Sequence, residues 1–130
     1  MAKPTYQDAQ LQMQLAAWHT SSGLPAALTW LWSDAFLPEY PAFVQRYPPG
    51  SEGDRTAALI CTYFETVGAL YKHGLINEDL LFDWLAVSSV WDRIKGYVLG
   101  CRRTAGSPLL WTSFEALATA HKRSTREYST

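Results

Sequence analysis

The chain has 130 residues, a formal net charge of −1, 48% hydrophobic and 18% charged side chains, the make-up of one globular domain, 1–130, that needs no metal or disulfide staple. This balance excludes a disordered chain and lacks the surplus of Lys and Arg that draws nucleic acid or an anionic membrane surface. No stretch approaches the ~20 apolar residues of a membrane span, and Met1 to Pro4 carry no apolar leader. A cytoplasmic location follows, with Cys61 and Cys101 as buried free thiols and neither cofactor nor metal expected.

Thr5-Tyr6-Gln7-Asp8 reads as a capping-box-like helix start, and Leu11, Leu15 and Trp18 continue it at helical spacing to about Thr20. Ser21-Ser22-Gly23 ends that helix. A second opens near Pro25, where a missing N–H costs nothing, with Leu28, Leu31, Trp32, Ala35 and Phe36 as its apolar stripe. Prolines at 38, 41, 48 and 49 break the next stretch and leave room for a short helical turn after Pro41. A third helix starts at Ser51 to Asp54, buries Ile60, Phe64, Val67 and Leu70-Tyr71, and stops at Gly74, which supplies a left-handed cap.

Asn77 caps the predicted central element, one long helix over about 78–103 whose stripe is Leu80, Trp84, Val87, Trp91, Ile94, Val98 and Cys101. Gly96 and Gly100 lie one turn apart and admit a close neighbour; Ser88-Ser89 is where this helix would bend or divide. Ser107-Pro108 is an N-cap followed by an N1 proline, opening a last helix through Leu110, Phe114, Leu117 and His121 that frays into the polar tail 123–130. The predicted fold is all-α, a mainly antiparallel bundle of about five helices.

Catalytic and metal signatures are absent: no phosphate loop, nucleophile elbow, HExxH or Cys–His zinc spacing. His19, His73 and His121 fall at or near predicted helix C-termini, where an imidazole complements the dipole. The charges inside helices are fewer. Glu65 and Glu115 each follow a core-facing phenylalanine, and either can pair with Arg102 or Arg103 across a helix seam as a structural ion pair.

Aromatic residues make up 14% of the chain. Trp30 and Trp32 diverge by roughly 200° on a helix; Trp32 belongs with Leu28 and Phe36, which leaves Trp30 outside that stripe. Either the proline-broken segment folds over Trp30, or Trp30, Tyr40, Phe43 and Tyr47 form an exposed aromatic patch for a protein partner or a second copy.

The segment from Phe64 to Ala118 resembles an uncharacterised bacterial helical family, domain of unknown function 4760. The pieces that carry the resemblance are Phe64-Glu65-Thr66-Val67-Gly68, Lys72 through Leu80, Val90-Trp91-Asp92-Arg93, Arg102-Arg103 and Ser113 through Ala118. It implies a helical fold and a bacterial source, and no activity. Some members look as if they carry an N-terminal membrane helix, for which this chain shows no counterpart.

Three functional expectations follow. The first is a non-enzymatic interaction or regulatory module that self-associates through the aromatic patch. The second is a small-molecule binder with Tyr63, Trp84, Trp91 and Trp111 as pocket walls between helices. The third is an enzyme bringing Glu65, Asp83 or Glu115 to His73 in one cleft.

Overall fold

The computed structural model describes residues 3–129, with side chains through Thr125; Met1, Ala2 and Thr130, at the two ends discussed above, lie outside the described residues. Among those described there are seven α-helices and no strand: α1 (Tyr6–Ser21), α2 (Leu24–Leu31), α3 (Tyr40–Arg46), α4 (Glu52–Lys72), α5 (Glu78–Trp84), α6 (Val87–Ala105) and α7 (Thr112–Ser129). No described helix is long and apolar enough to cross a membrane.

Three helices start on their own sequence. The Thr5 hydroxyl accepts from the Asp8 N–H at 3.1 Å while the Asp8 carboxylate accepts from the Thr5 N–H at 2.7 Å, a closed capping box. Ser51 Oγ accepts from Asp54 N–H at 3.3 Å for α4, and Asn77 Oδ1 from Leu80 N–H at 3.1 Å for α5. At the other end of α4, Gly74 takes φ +73° and the Leu75 N–H reaches back to the Leu70 carbonyl at 3.0 Å.

The long helix expected over 78–103 is a correction. It is two helices, α5 and α6, separated by Leu85 in extended conformation (φ −109°, ψ 118°) and Ala86 (φ −81°, ψ 65°). The break falls just before Ser88-Ser89. Its cause is burial: Leu85 and Val87 are both in the core, 4% and 0% exposed. Two residues apart on a continuous helix they would point roughly 200° apart, so the backbone opens to place both inward. The central role passes to α4, which buries Ile60, Cys61, Phe64 and Val67 and makes its most extensive packing against α7.

The last helix also begins later than expected. Residues 107–111 form a turn because Arg102 Nε holds the Leu110 carbonyl at 2.7 Å and Trp111 sits at φ +58°. That left-handed backbone is unfavourable for a bulky residue. The Trp111 ring offsets the cost by stacking on Tyr97 at 5.9 Å between centroids. At its far end α7 runs through Ser129, so the backbone expected as a polar tail is helical over 123–129.

Candidate functional site

The proline-broken segment folds back over Trp30. Its ring packs edge-on against Phe36 at 5.3 Å, Phe43 at 6.3 Å and Tyr47 at 5.7 Å between centroids. The Tyr47 hydroxyl donates to the Ala35 carbonyl at 2.8 Å and closes the loop. Phe43 is wholly buried and touches Tyr97 of α6 at 4.8 Å. Tyr40 lies on Gly100, and the Pro38 carbonyl on Gly96, at positions where a Cβ would collide with them. The two glycines thus seat this segment on α6.

Of the four residues expected on an aromatic surface, Phe43 is therefore inside the core, and Trp30, Tyr40 and Tyr47 are half-buried. Trp32, expected in the stripe with Leu28 and Phe36, is instead 54% exposed. It caps α2 beside Arg93, whose guanidinium lies 5.9 Å from its ring. The helix ends at Leu31, so the spacing that aligned Trp32 with Phe36 does not continue.

Trp30 and Tyr47 nonetheless reach a surface. They form aromatic walls of an open cleft of about 710 Å³ between α2 and the start of α4, floored by Gly23, Ala26, Ala27, Ala35 and Gly53. Ser51, Glu52 and Thr56 give it a polar edge, with Leu59 completing the apolar side. Its chemistry is mostly apolar. Glu52 is the one carboxylate among the residues that line it.

The charged residues singled out within helices are used in joining helices. Arg102 Nη1 pairs with Glu115 Oε1 at 2.9 Å, between α6 and α7. Glu65 pairs with neither Arg102 nor Arg103: its Oε1 accepts from the Phe114 N–H at 2.9 Å and caps the start of α7 from α4. Arg103 lies over the Tyr40 ring at 6.0 Å. Arg93, named in the sequence only within the piece Val90-Trp91-Asp92-Arg93, donates from Nε to the Leu31 carbonyl at 2.8 Å and from Nη2 to the Ser33 carbonyl at 3.1 Å, closing the C-terminal end of α2.

His121 is likewise placed differently from expectation. It lies within α7, and its Nδ1 accepts from the Ser88 N–H at 3.1 Å, capping α6, whose own N-cap residue Ala86 has no side chain to do so. The ring stacks on Phe82 at 4.6 Å, and burial pushes its pKa below the ordinary 6.5. The accepting nitrogen requires the neutral imidazole, and the lowered pKa favours that form.

Tyr63, Trp84, Trp91 and Trp111 contribute to packing at separate points. Tyr63, Phe64, Phe114 and Trp91 touch in succession at 5.6, 5.0 and 5.1 Å. Trp84 meets His19 at 5.7 Å, and Trp111 meets Tyr97. None of the four lines the cleft. Glu65 lies on α4 and His73 is the residue that follows its last turn, roughly 12 Å further along the axis at 1.5 Å per residue. Among the described residues no group of three or more His, Cys, Asp or Glu side chains is placed to hold a metal ion.

An all-α domain with side chains that cap distant helices and an apolar cleft is a class defined by shape, not by a reaction. Residues 4–121 match the family described as Domain of unknown function (DUF4760), and the chain belongs to that family. No curated protein and no solved structure matches it.

Proposed function

We propose that this protein is a cytoplasmic, non-enzymatic interaction module that associates with a second copy of itself through the cleft walled by Trp30 and Tyr47. The observation that carries this reading is the cleft itself: an open, mostly apolar depression floored by alanine and glycine, with a single carboxylate at its edge. Small floor residues admit a partner's side chains close to the backbone, while fixed aromatic walls offer contact area at little cost in conformational freedom. The formal net charge of −1 puts little electrostatic repulsion between copies. Glu65 and Glu115, two of the carboxylates an acid–base site could draw on, are engaged in bonds that join helices.

The test is multi-angle light scattering over a concentration series for the native chain and for Ala26→Arg. Ala26 is exposed, so the substitution fills the cleft without entering the core. The native chain is expected to grow in mass with concentration, and the variant to stay monomeric at an unchanged melting temperature. A native chain that remains strictly monomeric overturns self-association.

A second reading is favoured by size. The cleft of about 710 Å³ falls within the roughly 300–1,000 Å³ typical of small-molecule pockets, which supports an apolar ligand lying against Trp30. Quenching of tryptophan fluorescence by a panel of apolar probes, lost in the same Ala26→Arg variant, distinguishes this reading from self-association.

A further inference from the structure

We infer that His121 is a proton-operated latch on the joint between α5 and α6: on gaining a proton, its imidazole gives up the start of α6 and turns to the carboxylates of α5. The joint is Leu85 and Ala86, the two residues outside helical geometry between those helices. Neither has a polar side chain to meet the first amides of α6. The Val87 N–H reaches the Leu85 carbonyl at 2.9 Å, and the Ser88 N–H is met by His121 Nδ1 at 3.1 Å. The same ring lies on Phe82 of α5, with 4.6 Å between centroids and 25° between planes. One side chain of α7 thus holds the helices on both sides of the joint.

The bond to Ser88 exists in one protonation state. A neutral imidazole offers Nδ1 as an acceptor, whereas an imidazolium has a donor on each nitrogen and no acceptor. With a proton on Nδ1, two N–H groups face each other across 3.1 Å. A half-turn about Cβ–Cγ, a torsion with two broad wells, separates them and leaves the ring plane on Phe82.

Acceptors for the turned ring are close by. His121 lines a small surface cavity of about 120 Å³ with Asp79, Phe82 and Asp83 of α5 and with Ser124 and Thr125 of α7. Asp79 and Asp83 are the titratable groups that face it from α5. The other charges around it are engaged: Lys122 of α7 pairs with Asp92 of α6 at 2.7 Å, and Tyr71 of α4 donates to Glu78 at 2.6 Å. Arg123 of α7 is exposed and acts on Tyr71. Two carboxylates on one side of the ring, against an amide donor on the other, draw the charged form toward α5. In the closed position burial holds the pKa below 6.5. The latch is therefore closed at neutral pH and opens as the pH falls through that lowered value.

The test is NMR of the isotope-labelled full chain between about pH 8 and about pH 5. The His121 ring is expected to titrate with a midpoint below 6.5. Over the same range the hydrogen-exchange protection of the Ser88 amide, corrected for its intrinsic rate, is expected to fall about tenfold. The Asp54 amide, capped by the Ser51 hydroxyl, is the reference and keeps its protection. In His121→Gln, which accepts without titrating, the Ser88 protection is expected to lose its pH dependence. Asp79→Asn and Asp83→Asn report where the ring goes: loss of the carboxylate that receives it lowers the His121 midpoint and leaves Ser88 protected at neutral pH. Constant Ser88 protection across the titration, a pH dependence that survives in His121→Gln, or a His121 midpoint unchanged in both aspartate variants overturns the inference.

Discussion

Helices α1, α4 and α5 begin on side chains three residues from the N–H they cap, whereas α6 and α7 begin on side chains 33 and 49 positions away in the chain. The first group makes its starts from neighbours that are close whether or not the rest has folded. The second has no start until α4, α6 and α7 have come together. A local cap therefore stabilises one helix, while His121 and Glu65 make the start of one helix depend on the placement of another.

Substitutions can sharpen or break that contrast. The largest effect is expected for Glu65→Ala, a loss of about 2–3 kcal/mol in urea denaturation, because the Phe114 N–H is left without its charged acceptor at a buried helix start. Glu65→Gln keeps an acceptor and should recover part of the loss. Gly96→Ala comes next, at about 1–2 kcal/mol. The added methyl meets the Pro38 carbonyl, and that overpacking outweighs the gain of up to about 1 kcal/mol from replacing a helical glycine.

Acidification is expected to cost about 1 kcal/mol, the worth of one helix cap. Burial lowers the folded-state pKa of His121 below its ordinary 6.5, so the unfolded chain takes up the proton first. The stabilisation is complete above pH ~6.5 and is lost as pH falls through the depressed value. His19, also lowered by burial, acts in the same direction. Thermal melts from neutral to mildly acid pH should thus show a slope that His121→Gln reduces but does not abolish. The smallest effect belongs to Thr5→Ala, about 0.5–1 kcal/mol, since an exposed capping box at the chain's edge holds only its own helix. Equal losses for Thr5→Ala and Glu65→Ala would show that distance in the chain makes no energetic difference here.

The same division explains what could be read from the residues in order. The all-α class, the Thr5, Ser51 and Asn77 starts, the Gly74 stop and the seating role of Gly96 and Gly100 follow from patterns within one turn or one helix face. The break at Leu85–Ala86 does not, because the pattern through Leu80, Trp84 and Val87 also suits an unbroken helix. Only the packing of Leu85 and Val87 into one core decides between the two. Trp30 was marked by being out of place on its helix, and that mismatch is what the structure resolves: the ring supports the returning segment from below and walls the cleft from the side. For Glu65 the residue was identifiable and the partner was not, since a backbone N–H carries no mark in a sequence. Arg93 and His121 acquire their roles the same way. The short pieces that resemble the family hold Glu65, Arg93, Arg102 and Glu115, and each of these four bonds one helix or turn to another. The resemblance is in that sense a record of architecture.

Arg93 has a consequence for the order in which the chain can settle during synthesis. It serves the Leu31 carbonyl across 62 positions, so a ribosome adding about 5–20 residues per second delivers it roughly 3–12 s after α2 has been made. Through that interval the end of α2, the exposed Trp32 and the segment meant for Gly96 and Gly100 have nothing to close on. Nascent chains stopped before residue 93 should accordingly be cut by protease near 31–50, and chains extended past α7 should resist.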